Sequence, residues 1–243
     1  MDGYFLGLDE LDENIKGTRA DSNIMLLGPP MSGKETIINK IVFSGLKDGE
    51  AAVIVTTREP GESVLQWFEY NNLEIPLEHI GIVDCVTKTL GVPTADTFNI
   101  KRASSPVDLT GIGVKISQFL EDFWMKKNIR KTRLCINSLS TILMYSNIQT
   151  VFRFLHVFTG RVKAAGAIGI YLVEDGMHND QAIATLKQLF DGVIEVKQEN
   201  DDHFIRIVGM GKKPSPWYKY SIDGADLVLI GDDQVGGNKY AQT

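Results

Sequence analysis

Asn23-Ile24-Met25-Leu26-Leu27-Gly28-Pro29-Pro30-Met31-Ser32-Gly33-Lys34-Glu35-Thr36 decides how the chain is read. The spacing Gly28, four residues, Gly33-Lys34 is that of a phosphate-binding loop, which normally continues with Ser or Thr. Here Glu35 stands where a hydroxyl would meet magnesium. The surroundings suit such a loop. The apolar run before Gly28 predicts a buried strand, and Thr36–Gly45 carries Ile37, Ile38, Ile41 and Val42 at helical spacing. Glycines let the backbone close around phosphate oxygens, while successive N–H groups and the helix N-terminus supply positive potential. The candidate nucleotide-binding residues are therefore Gly28, Pro29, Pro30, Met31, Ser32, Gly33, Lys34, Glu35 and Thr36, with Lys34 directed at the terminal phosphates.

Outward from the loop, apolar runs and helical patterns alternate. Strands are predicted at Ala51–Thr57, His79–Val86, Arg133–Ser138 and Ala167–Val173. Helices are predicted at Ser63–Asn71, Asp108–Lys127, Thr150–Ala165 and Gln181–Phe190. The rhythm then changes to three strands without helices: Gly192–Gln198, Phe204–Val208 and Tyr218–Ile222, with Asn200–His203 as a hairpin turn. The expectation is an α/β fold. Its mainly parallel central sheet is flanked by helices and ends in an antiparallel meander. Residues 1–230 form one domain in this reading and residues 231–243 a polar tail. Residues 88–107, with Pro93 and Pro106, read as a long loop of the kind that is mobile or functional.

The chain has 243 residues, 43% hydrophobic, enough for a sizeable core. A net charge of −6 argues against a broad nucleic-acid surface. Cys85 and Cys135 lie in apolar runs and read as reduced core residues. With no apolar run of membrane-spanning length and no leader-like start, the expected location is cytoplasmic, with no membrane partner.

Three further motifs complete a pattern. Leu8-Asp9-Glu10-Leu11 precedes the loop, Asn137-Ser138-Leu139-Ser140 follows a strand, and Phe190-Asp191-Gly192-Val193-Ile194 opens the meander. In this order they resemble the RecA superfamily, and within it the KaiC-like ATPases, over about Gly7–Ile222. The likeness is strongest to archaeal KaiC-like proteins described as RecA-superfamily ATPases implicated in signal transduction. It implies a RecA-like P-loop domain with ATP and Mg2+ as cofactors. It also implies nucleotide between subunits of a ring, so self-association or a protein partner is expected. The departures fall on the chemistry. The family has Ser or Thr at Glu35, a Walker B aspartate at Asn137, and paired glutamates at Arg58 and Glu59. A Lys-x-Arg matches Gly209 and Gly211 here, with Lys212 and Lys213 just beyond.

Phosphoryl transfer depends on positioning and charge stabilisation. Asn137 keeps an oxygen but loses a charge, and Glu35 adds one. The candidate metal residues are thus Glu35 and Asn137, on the idea that the carboxylate has crossed the site. Without metal, Glu35 would instead repel a phosphate charge 4 Å away by about 1–4 kcal/mol. Glu59 is the candidate catalytic base. Arg58 beside it is expected to meet phosphate or to pair with Glu59 and depress its pKa. The expected function is ATP binding coupled to regulation or signalling, with weak or absent hydrolysis. The alternatives are an active ATPase with a rearranged magnesium site and an interaction module that binds no nucleotide.

Other signals are weaker. The basic run Lys126–Arg133 reads as a solvated helix end. Glu174, Asp175 and His178 read as a surface loop too acidic for DNA, with metal binding the lesser alternative. Tyr220 is expected to pack on the sheet, while Trp217 is left between packing and stacking on a base.

Overall fold

The computed structural model describes residues 3–91 and 93–230, so the polar tail expected at 231–243 lies outside the described residues. Ten strands form one sheet in the order β10-β9-β8-β7-β1-β6-β5-β2-β3-β4. The parallel part comprises β1 (Asn23–Gly28), β2 (Ala51–Thr56), β3 (Ile80–Asp84), β4 (Ile100–Arg102), β5 (Thr132–Asn137), β6 (Ile168–Glu174) and β7 (Gly192–Glu199). The antiparallel meander adds β8 (Asp202–Val208), β9 (Tyr218–Asp223) and β10 (Asp226–Ile230). The expected α/β architecture, mainly parallel with a terminal meander, is what forms.

Alternation along the strands divides the core. Ile24 and Leu26 face a layer holding α1 (Asp9–Ile15), α2 (Lys34–Lys47) and α3 (Gly61–Tyr70). Met25 and Leu27 face the opposite layer, built by α4 (Leu109–Glu121), α5 (Leu139–Tyr145), α6 (Ile148–Ala164) and α7 (Asp180–Lys187). Strands covered on both faces are apolar over most of their length, and the central ones are wholly buried. The Leu8 and Leu11 of the first motif seal the α2 layer. Cys85 and Cys135 are free and buried, as expected, and burial pushes the Cys135 thiol up to about 12.

Residues 88–107 are not the open loop expected. They contain β4, whose Arg102 is wholly buried. Its guanidinium pairs with Glu62 and donates to the Ala95 carbonyl, its Nε lies 3.7 Å from Asp84 Oδ2, and its backbone N–H meets Asp96 at 2.9 Å. One arginine thereby fastens the segment to the sheet edge. Burial alone would raise the Asp84 pKa. Hydrogen bonds from the Thr87 hydroxyl and the N–H groups of Thr87, Val86 and Gly61 outweigh it and hold the carboxyl below its usual value of 3.8. A depressed carboxylate stabilises the fold fully above its unfolded pKa and loses that contribution as pH falls through the folded one. Asp84→Asn should therefore cost about 3 kcal/mol near neutrality. It should also flatten the acid limb below pH 3.8 in thermal melts. Equal acid dependence in both proteins would refute this role.

The basic run divides as well. Lys126 and Lys127 pair with Asp122 at the surface, but Arg133 is wholly buried against Glu50. A strand position on a covered face leaves a cation nowhere to go but to a partner.

Candidate phosphate-loop site

Open α/β sheets place ligands beyond the carboxyl ends of their strands. The loop from Pro29 to Gly33 lies there, because β1 is flanked by β6 and β7 with Gly28 opposite Glu174 and Leu27 opposite Glu195. Gly28 has a local reason to be glycine: an added Cβ would sit 2.6 Å from Val196 Cβ. Gly33 has φ +73° and would overlap Ile222. The meander thus packs on the loop, and Tyr220 goes beyond the packing expected of it. Its buried hydroxyl donates to the Ser32 carbonyl at 2.5 Å. Burial, the larger influence, raises the Tyr220 pKa, so it stays a donor throughout the ordinary range. Met31, at φ +62°, projects into solvent and can offer a ligand its backbone alone.

Lys34 begins α2 and is 4% exposed. Its ammonium donates to the Pro29 carbonyl and to Ser32 Oγ at 3.2 Å, and meets Glu174 Oε2 at 2.8 Å. The same Glu174 reaches Arg58 Nη1 at 3.5 Å, and Arg58 Nη1 meets Glu35 Oε1 at 2.6 Å. Lys34, Glu174, Arg58 and Glu35 therefore form a chain of alternating charge around the loop. Glu174 is not on a surface loop. It ends β6 with its side chain 11% exposed, and its N–H is held by Ser140 Oγ at 2.9 Å. That role was hidden because the β1–β6 neighbourhood is a property of the sheet. An acid closing a buried strand was the available signal. Among the described residues no cluster of His, Cys, Asp or Glu suits a metal, so Glu174, Asp175 and His178 do not form one.

Arg58 pairs with Glu35 and Glu174 rather than with Glu59. Burial, then the nearby Glu35 charge, raises the Glu59 carboxyl pKa against the opposing effect of Arg58. Of the two expectations for Arg58, the pairing with Glu59 is not what forms: adjacent residues leaving a strand end diverge, and Arg58 turns toward the loop. Thr57 Oγ1 accepts from Ser138 N at 2.7 Å, joining the ends of β2 and β5. Asn137 is buried there, its Oδ1 without a partner among the described residues. Gly209 and Gly211 follow β8 beside exposed Lys212 and Lys213.

The donors expected for Mg2+ are thus one neutral amide oxygen and one carboxylate already held by a guanidinium. Magnesium commonly takes one or two free carboxylates besides phosphate and water. These residues do not fit a resident metal as they stand. Counting Lys34 and Arg58 against Glu35, Glu59 and Glu174 gives the site a formal charge of −1. No helix among the described residues is long and apolar enough to cross a membrane.

The KaiC-like protein PH0186 from the hyperthermophilic archaeon Pyrococcus horikoshii OT3 is similar in structure, with TM-score 0.70 and 16% identity over 95% of this chain and 99% of that one. The uncharacterized P. horikoshii protein PH0321, crystallised with an unknown peptide, has TM-score 0.68 and 17% identity over 91% of this chain and 96% of that one. At such identities the likeness is one of fold, and the fold is that of a KaiC-like RecA domain. No curated protein matches the sequence. Residues 22–196, the whole span from the loop strand into β7, match the model of a family described as of unknown function (DUF7504), and the chain belongs to that family.

Proposed function

We propose that the protein is a nucleotide-binding regulatory module of RecA fold that holds ATP with weak or absent hydrolysis. The observation that carries this reading is the pairing of Glu35 with Arg58 at 2.6 Å. The carboxylate that replaces the loop hydroxyl is neutralised by protein rather than offered to a metal. The cradle keeps what binding needs: loop glycines, a lysine at the helix start and its N-terminal amides. It lacks the divalent charge that phosphoryl transfer uses between the β- and γ-phosphates. Glu59, raised by burial, is suited to orient or deprotonate water, but a base alone leaves the developing phosphate charge unsupported. Regulation follows if nucleotide occupancy rearranges the Glu174 network and with it the segment after β6. A protein partner is part of the reading, and PH0321, solved in complex with an unknown peptide, lends support to it.

Calorimetric titration with ATP tests it. The expectation is micromolar binding that differs less than about threefold between magnesium and EDTA, loss of at least about tenfold in Lys34→Ala, and turnover below about 0.01 per second. A steep gain with magnesium would transfer the assignment to an active ATPase with a rearranged metal site. In that case Glu35→Thr with Asn137→Asp should change turnover little. Absence of binding in both conditions would leave an interaction module on a RecA fold.

A further inference from the structure

On the sheet face opposite α2, an apolar trough runs between α4 and α6. Two cavities of about 460 and 390 Å³ lie along it and share Phe158 and Arg161. Val114, Phe154, Val157, Leu120, Trp124 and Met125 line it, and Val157 and Met125 are 55% and 78% exposed. From Leu109 to Met125 the trough is about 25 Å long at 1.5 Å per helical residue, the length of four or five turns of a second helix. The α4 helix ends there in a wide π turn, Asp122–Lys126, a form common at functional positions. The Trp124 indole N–H is enclosed without an acceptor among the described residues.

Charge says what covers it. The chain carries net charge −6, yet Arg153 and Arg161 stand exposed along this trough and neither has an ion-pair partner among the described residues. Among the described residues Glu121 is the one acid in the lining.

We propose that the α4–α6 trough docks an amphipathic helix of a partner protein, its apolar stripe flanked by acidic residues that pair with Arg153 and Arg161. This is the helix-in-groove mode. It stands independently of nucleotide binding.

The test is fluorescence anisotropy with two labelled synthetic helical peptides of about 18 residues. They share one leucine stripe, flanked by glutamate in one and by lysine in the other. The glutamate peptide is expected to bind at least tenfold more tightly. Val157→Glu and Arg161→Glu, both at exposed positions, should each weaken it at least tenfold with little change in melting temperature. Equal binding of both peptides, binding that survives Val157→Glu, or no binding would overturn the proposal. So would a dimer in sedimentation that Val157→Glu abolishes, since the trough would then belong to a second copy. ATP titration of Val157→Glu should match the wild type, so failure here and failure of the nucleotide reading are separable.

Discussion

Glu174→Gln is expected to tighten ATP binding by about tenfold to a hundredfold while making the nucleotide-free protein less stable. The opposed signs come from one contact. Lys34 and Glu174 meet at 2.8 Å with side chains 3% and 11% exposed, where solvent screens little. At an effective dielectric of 20 such a pair attracts by several kcal/mol. A phosphate that recruits Lys34 must first draw it from this carboxylate and then lie beside the carboxylate's own charge. Glutamine keeps the shape and an acceptor oxygen but removes the competing charge. Each tenfold in affinity is about 1.4 kcal/mol, so recovering even part of the attraction gives the stated gain. In the free protein the buried ammonium loses its counter-charge and keeps a neutral acceptor, a loss of about 1–3 kcal/mol. Arg58→Ala is expected to go the other way. It frees Glu35 to repel phosphate, with an effect nearer 1 kcal/mol because Arg58 and Glu35 are each about half exposed. Calorimetry and thermal melts on the two variants read both signs. Unchanged or weaker ATP binding in Glu174→Gln would mean that the carboxylate supports the cradle rather than competing for it.

The strand, loop and helix were legible because Gly28, Gly33 and Lys34 act through neighbours in sequence. The meander was legible because it lacks helices and turns at Asn200-Asp201. What escaped the sequence depends on pairing across the sheet. Glu174 meets Lys34 because β6 lies beside β1, which no local pattern encodes. Arg58 was expected to meet phosphate or its neighbour Glu59, whereas the fold gives it Glu35 and Glu174. Short elements were lost for another reason. The helix Leu139–Tyr145 has too few turns for a periodic signal, and its start rests on the Ser138 side chain accepting from Ser140 N. The strands Ile100–Arg102 and Asp226–Ile230 are likewise brief and close the two sheet edges. Arg102 fell in a segment read as loop from Pro93 and Pro106, and Arg133, at the start of a predicted strand, closed a basic run read as a solvated helix end. Each is a buried cation tied to an acid that the sequence leaves far away.

Breaking the buried pair of Arg133 and Glu50 is expected to produce the largest loss of stability in the molecule. Arg133 is wholly buried in β5. Its Nε meets Glu50 Oε2 at 2.6 Å and its Nη1 meets the Ile41 carbonyl at 2.7 Å. The Tyr4 ring lies 5.9 Å from the guanidinium carbon. Room for it comes from Gly45 of α2, where any Cβ would overlap the guanidinium. The arginine thus bolts the helix that begins at the phosphate loop to the strand that ends at Asn137. Removing one charge leaves the other buried and unpaired, which costs about 3–5 kcal/mol. For a domain of this size that lowers the melting temperature by roughly 6–20 °C. Arg133→Met and Glu50→Leu should each do so, and Gly45→Ala should resemble them by displacing the guanidinium. The double variant Arg133→Met with Glu50→Leu should recover most of the loss, since apolar groups of similar volume often replace a buried pair at little cost. Thermal melts of the two singles and the double close the cycle. Additive losses would show that the two residues act separately. If the double variant also binds ATP like the wild type, the pair holds α2 in place through packing. Restored stability with lost binding would instead show that the loop needs Arg133 itself to hold the helix in register with β5.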